Sequence, residues 1–314
     1  MKRKHELIRA VMIGHAVADA LGVPVEFCTR EELDLAPVTE MTGFGTYPVP
    51  AGAWSDDTSM SLCALEVLAS GRVNYGKIME NFAKWCANSE YTPTNSTFDI
   101  GNTCLCAIQN YLSDDAIPAT ECGLSDDRSN GNGSLMRIHP FVLYAHAKKL
   151  PYEKWSELIK NGSRLTHAHD RSVLGCMIYS FVLLALLEMP AKPSIALGLT
   201  KALHRLGDSP ELSHYGRIFS DSFAALPREQ IKSSGYVVDT LEAALWCLMT
   251  TENYRDCVLK AVNLGSDTDT VAAVAGGLAG ALYGYNSIPA DWRNTLIKRE
   301  YIENLCATAA DNWR

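Results

Sequence analysis

Apolar residues along this chain recur at helical rather than alternating intervals. Met60, Cys63, Ala64, Val67 and Leu68 fall on one face of a helix, and Ile78, Phe82 and Trp85 on another. Val173, Met177, Phe181 and Leu184 give a third face, and Leu241, Ala244, Leu245, Leu248 and Met249 a fourth. Near the start, Ile8, Val11, Met12, His15, Ala16 and Asp19 keep the same spacing. Strand-like alternation of any length is missing, so the pattern predicts an all-α fold: a compact multi-helix bundle in one domain spanning residues 1–314. Asp99 before Ile100 and Asp239-Thr240 before Leu241 read as helix starts.

Between the periodic segments lie polar, glycine- and proline-bearing stretches at 37–54, 88–97, 113–134 and 207–235. Long loops in a compact domain are often functional. No internal repeat or linker-like break divides the chain.

Two of these loops end in acidic clusters that run into apolar helical stretches: Ser55-Asp56-Asp57-Thr58 and Ser266-Asp267-Thr268-Asp269-Thr270. Carboxylates at a helix start serve as caps and complement the helix dipole. A single cap needs one acceptor, and surplus adjacent carboxylates repel unless solvent or a cation compensates. An all-oxygen set of carboxylates and hydroxyls suits a hard divalent ion such as Mg2+ or Mn2+, so a fold that joins the clusters would make a dinuclear site. The second cluster leads into Ala272, Ala275, Gly276, Ala279 and Gly280, a stripe of small residues. Each interior helical glycine costs roughly 1 kcal/mol relative to alanine, which predicts a central helix packed very closely.

Other candidates are weaker singly. Glu26 sits in a turn punctuated by Gly22 and Pro24, and Asp99 follows a polar loop. The 130–134 loop, Asn130-Gly131-Asn132-Gly133-Ser134, offers backbone N–H groups to a phosphate or simply turns the chain. His167 and His169 are read as diverging on a helix, which argues against zinc.

Composition narrows the classes. The chain has 314 residues, 47% apolar and 20% charged, with formal charge −8. That balance, with no basic run interleaved with aromatics, does not indicate nucleic-acid binding. The 10 cysteines lie mostly among apolar residues, and the close pair Cys104 and Cys106 lacks a zinc-ribbon or redox spacing. They read as small buried hydrophobes in a reducing compartment. Charged residues interrupt the N-terminal apolar stretch after Met1-Lys2-Arg3-Lys4, and the uncharged run 173–187 is short for a bilayer span. A cytoplasmic, monomeric chain without a membrane segment is expected.

Taken in order, seven segments resemble the ADP-ribosylglycohydrolase family. They are residues 14–22 running to Glu26-Phe27; Trp54 to Thr58; Phe98 to Thr103; Gly131 to Arg137; Thr166-His167; Gly235 to Ala244; and Asn263 to Thr270. Two departures are small: Ser55 stands where Thr is commoner, and Ala18 where Gly is usual.

The resemblance implies an all-α domain with two Mg2+ or Mn2+ ions at the base of a cleft. Their ligands would be Ser55, Asp56, Asp57, Asp267, Asp269 and Thr270. Asp99, with Glu26 as alternative, would be the general base, near the metals and the reacting ribose. Asn132, Gly133 and Ser134 would meet the ADP-ribose phosphates, and His167 and Tyr236 would line the cleft. The implied reaction is hydrolysis at ribose C1 of an ADP-ribosylated protein or small molecule, with ADP-ribosyl-arginine favoured because the Asp99 segment resembles the arginine-specific bacterial members. A metal-dependent phosphohydrolase and a non-catalytic ADP-ribose binder are the competing readings. A prenyl-diphosphate enzyme fits less well, since it favours Asp-Asp-x-x-Asp and Asp57 is followed by Thr58, Ser59, Met60 and Ser61.

Overall fold

The computed structural model describes residues 2–113 and 116–313, with side chains from residue 4 onward. Among them the chain forms helices α1 (Lys2–Gly22), α2 (Arg30–Leu35), α3 (Asp56–Ala69), α4 (Tyr75–Asn88), α5 (Asn102–Ser113), α6 (His139–Ala147) and α7 (Tyr152–Arg164). There follow α8 (Asp170–Glu188), α9 (Pro193–Leu206), α10 (Val237–Met249), α11 (Tyr254–Val262), α12 (Thr268–Tyr283), α13 (Ala290–Thr295) and α14 (Arg299–Asn312). No β-strand occurs among the described residues; two isolated bridges pair Leu124 with His167 and Gly131 with Tyr236. The all-α expectation holds.

The most extensive helix–helix contact joins α1 to α12. The small-residue stripe explains it. A Cβ added at Gly276 would lie 2.4 Å from both the Gly14 carbonyl oxygen and the Ala18 Cβ, and one at Gly280 would lie 2.1 Å from the Ala10 carbonyl oxygen. Backbone therefore rests on backbone. Tyr254 adds a hydroxyl bond of 2.6 Å to the Gly14 carbonyl. Around this pair one large hydrophobic cluster runs through α3, α4, α6, α7, α8, α10, α11 and α14. The chain ends close over it: Trp313 donates its indole N–H to the Leu68 carbonyl at 2.6 Å, and Lys4 reaches the Trp313 carbonyl at 2.8 Å.

By length and composition, two helices are apolar enough to cross a membrane, over Lys4–Val25 and Asp170–Glu188, and they are 89% and 83% buried inside the protein. All ten cysteines are free, and most are buried; Cys106 is exposed.

Several boundaries differ from the sequence reading. Asp99 starts no helix: it stands in the loop before α5 with φ 54°, a left-handed conformation that Asp tolerates better than most residues. Helix α10 begins at Val237, so Asp239 lies in its first turn. The 207–235 stretch contains 3-10 turns at Pro210–Phe219, Phe223–Ala225 and Arg228–Gln230, anchored by buried Tyr215, Ile218 and Phe223. His167 and His169 precede α8 instead of lying on a helix: His169 caps α8, accepting the Arg171 N–H at 3.1 Å. Residues 114 and 115 of the 113–134 loop, and Met1, lie outside the described residues.

Candidate active site

Three helix ends converge on one point. The C-terminal end of α1 carries Asp19, the start of α3 carries Ser55, Asp56 and Asp57, and the start of α12 carries Asp267, Asp269 and Thr270. Gly22 permits the approach, because a Cβ there would fall 2.3 Å from the Asp269 Cα. The Thr268 hydroxyl donates to the Gly22 carbonyl at 2.8 Å. Just beyond, the Phe27 N–H donates to the Ser266 carbonyl and the Ser266 N–H to the Cys28 carbonyl, both at 2.7 Å. That exchange pins the Glu26 turn to the turn opening α12, with Phe27 at φ 65° and Ser266 at φ 67°.

Asp19, which the sequence reading did not assign, organises the start of α3. It accepts the Ser55 N–H at 2.9 Å, the Thr58 N–H at 3.1 Å and the Thr58 hydroxyl at 2.6 Å. The one available signal was a carboxylate on the apolar face of the first helix. The Ser55 hydroxyl accepts the Asp57 N–H at 3.3 Å and donates to the Asp57 carboxylate at 3.0 Å. The Thr270 hydroxyl reaches the same Asp57 oxygen at 3.1 Å, which joins the two acidic clusters directly.

This concentration of buried carboxyls is electrostatically unfavourable by itself. Burial, then the neighbouring Asp99 and Asp57 charges, hold the Asp56 pKa well above the usual range. Asp57 is raised by burial and by Asp19 and Asp267. Asp269 is raised by burial and by Glu26, Asp99, Asp57 and Asp267, while for Asp267 burial is the cause. Burial pushes Glu26 up to about 8 with help from Asp99, and Asp99 and Asp19 up to about 6.

A bound cation would offset this repulsion. Buried oxygens of Glu26 (Oε2), Asp57 (Oδ1), Asp267 (Oδ1) and Asp269 (Oδ2) have no hydrogen-bond partner among the described residues. Two triads have carboxylate oxygens mutually within 4.8 Å: Asp19, Asp57 and Asp269, and Glu26, Asp267 and Asp269. An all-carboxylate donor set with unsatisfied oxygens fits a hard divalent ion. Asp56 lines the cleft above but belongs to neither triad. The Ser55 hydroxyl faces Asp57.

Above this floor opens a cleft of about 400 Å³. Glu26, Phe27, Asp56, Asp99, Arg128, Asn132, Gly133, His167, Gly235, Asp267 and Thr270 are among its lining residues. The sequence candidates fare unequally here. The Asn132 amide N–H2 donates to Thr240 and to Asp267, both at 2.9 Å, tying the 130–134 loop to the acidic floor. Gly133 borders the cleft, whereas the Ser134 hydroxyl is buried against Ser163 and Cys176. His167 borders it too, held by Thr166 at 2.8 Å, and burial with Arg137 nearby lowers its pKa to about 3, leaving it neutral. Gly235 borders the cleft, while the neighbouring Tyr236 stands at the N-cap of α10 with its ring 6.0 Å from the Arg171 guanidinium carbon.

A family model described as ADP-ribosylglycohydrolase matches residues 1–314. The chain is 33% identical over 304 residues to ADP-ribosylarginine hydrolase Tri1 of Serratia proteamaculans (strain 568), covering 95% of this chain and 77% of that protein. It is 30% identical over 295 residues to ADP-ribosyl-[dinitrogen reductase] glycohydrolase of Rhodospirillum rubrum, covering 93% and 90%. A solved structure titled "ADP-ribosylglycohydrolase-related protein complex" superposes with TM-score 0.83 at 28% identity, covering both chains fully. The chain belongs to the ADP-ribosylglycohydrolase family and is a hydrolase of the glycosidase type.

Proposed function

We propose that this protein is a divalent-metal-dependent hydrolase that cleaves the bond between ribose C1 and an arginine guanidinium nitrogen in ADP-ribosylated protein, releasing ADP-ribose. The observation that carries the reading is the pair of carboxylate triads sharing Asp269 at the floor of the cleft. The relatives named for ADP-ribosylarginine and ADP-ribosylated dinitrogen reductase support the acceptor.

Asp19, Asp57, Asp267, Asp269 and Glu26 would hold two ions, Mg2+ or Mn2+, with Asp56, Ser55 and Thr270 completing their surroundings. When bound, the ions supply charge to grip the ribose hydroxyls and a water of lowered pKa. Asp99 lies outside both triads yet faces the cleft, which leaves it free to take the proton of the attacking water. As the water oxygen bonds to C1, the C1–N bond breaks through an oxocarbenium-like state, and the guanidine nitrogen needs a proton as it departs. The proton taken from water is returned to that nitrogen, so the step balances. Glu26 is the alternative base. Asp56 and Asp99, which line the cleft outside both triads, favour a cationic guanidinium over a neutral or anionic acceptor.

The test is a panel of ADP-ribosyl-arginine, ADP-ribosyl-serine and O-acetyl-ADP-ribose substrates, with and without Mg2+ or Mn2+, read as free ADP-ribose. Metal-dependent release from the arginine conjugate above the others is expected. Binding without turnover of any of them, or turnover unaffected by a chelator, would overturn the reading.

A further inference from the structure

We infer that Arg128 receives the diphosphate of ADP-ribose and is a specificity-determining residue of the cleft; the inference rests on the ADP-ribose reading above. The cleft is lined by the carboxylates Glu26, Asp56, Asp99 and Asp267, and Arg128 is the one permanently cationic side chain among its described lining residues. A dianionic diphosphate entering such a cleft needs a compensating group beyond the acidic floor. A guanidinium meets phosphate oxygens through a planar fork of N–H donors.

Residues Asp126 and Asp127 precede Arg128 in sequence and, by adjacency alone, would neutralise it. The fold directs them elsewhere. Asp126 closes a turn, accepting the Arg128 backbone N–H at 2.9 Å with one oxygen and the Ser129 hydroxyl at 2.6 Å with the other. Asp127 takes the His169 ring at 3.2 Å. The Asp126 carboxyl is held below its usual pKa first by the Ser129 hydroxyl and the Arg128 backbone N–H, with the Arg128 charge contributing after them. The Arg128 guanidinium itself has no hydrogen bond or salt bridge to the described residues and is exposed to the cleft.

The neighbouring 130–134 loop cannot supply this contact with its side chains. The Asn132 amide nitrogen is occupied by Asp267 and Thr240, and the Ser134 hydroxyl points into the core. The loop is also fixed in place: the Val237 N–H donates to the Asn130 carbonyl and the Asn132 N–H to the Gly235 carbonyl, both at 3.0 Å. A rigid loop leaves its free backbone groups and the one adjacent cation to meet the phosphates.

Isothermal titration calorimetry of the Mg2+-loaded protein with ADP-ribose and with adenosine, on wild type, Arg128→Gln and Arg128→Lys, tests this. Arg128→Gln should weaken ADP-ribose by about 10- to 100-fold, the loss of a charge-assisted contact, and leave adenosine within about 2-fold. Arg128→Lys should recover part of the loss. In turnover, the KM for ADP-ribosyl-arginine should rise with kcat within about 3-fold, as for uniform binding. Unchanged ADP-ribose affinity in Arg128→Gln, an equal loss for adenosine, or no ADP-ribose binding by wild type would overturn the inference. Wild type that binds ADP-ribose but releases none from any conjugate would sink the hydrolase reading alone, and the calorimetric comparison would still decide Arg128.

Discussion

The two acidic helix starts look interchangeable in sequence and are built differently. At α3, Ser55 caps the helix through the Asp57 N–H, and Asp19 satisfies two further N–H groups. The first turn is complete without Asp56 and with only one oxygen of Asp57 engaged. At α12 the N-cap residue Asp267 makes no side-chain cap bond, and the Thr270 N–H is met by the Asp269 carboxylate at 2.9 Å. Asp57 at α3 and Asp267 and Asp269 at α12 each leave one buried oxygen without a partner among the described residues. The first start keeps one such oxygen beside a completed side-chain cap. The second has two and no N-cap side-chain bond. Surplus carboxylates at a helix start are thus informative only once it is known which of them the helix consumes.

The sharpest way to break this comparison is to remove the carboxylate common to both triads. Asp269→Ala should lower kcat/KM by on the order of 10³-fold or more while leaving helical circular dichroism intact. If the two starts form one site, Asp57→Ala should cost a similar factor, and the double variant little more than either alone. Multiplying losses would assign the clusters to separate roles. Asp99→Asn should lower kcat by roughly 10²- to 10⁴-fold with divalent-cation binding retained by calorimetry. Wild-type turnover in that variant would remove Asp99 as base.

A pH effect follows next. The site carboxyls have folded pKa values raised by burial, to about 6 for Asp99 and Asp19 and about 8 for Glu26. Their unfolded values lie near 4, so between about 4 and 8 the metal-free folded chain holds more protons than the unfolded one. Stability of the metal-free protein is therefore fully present below about pH 4 as far as these groups are concerned, and declines as pH rises through 6 and 8. Thermal melts at pH 5.5 and 8 should show Mg2+ raising Tm more at the higher pH. An equal or reversed increment would refute the metal-compensation account. The smallest effect separates the two starts directly: Ser55→Ala should destabilise by about 1 kcal/mol, the loss of a cap. Asp267→Asn, measured without metal, should be neutral or stabilising, because it removes a charge with one unpaired buried oxygen while an amide oxygen can still accept from Asn132.

The helical class and the close packing of α12 were legible because each depends on local spacing, whereas the pairing of the acidic clusters followed only from the family resemblance. Glycines in a helix interior have few explanations besides close approach, and Gly276 and Gly280 have that one. What could not be read were side-chain directions and partners set by distant chain. Ser134 belongs to a loop that borders the cleft, yet its own hydroxyl meets Ser163 and Cys176. The Tyr236 ring lies 6.0 Å from the Arg171 guanidinium carbon. Asp19 fits a helical apolar stripe and becomes legible only when Ser55 and Thr58 arrive as donors. The Asp99 boundary was misplaced because a single left-handed residue delays the helix to Asn102.

The backbone-on-backbone seat of α1 against α12 has a consequence for synthesis. The partners it brings together are 246 residues apart, as in the Thr268–Gly22 bond. A ribosome adding about 5–20 residues per second needs roughly 10–50 s to make that span. Throughout that interval the first helix has emerged without the surface it was shaped to meet, its apolar window uncovered. Arrival of α12 covers that window and assembles the carboxylates in the same step, so the packing of the core and the formation of the acidic floor are one event.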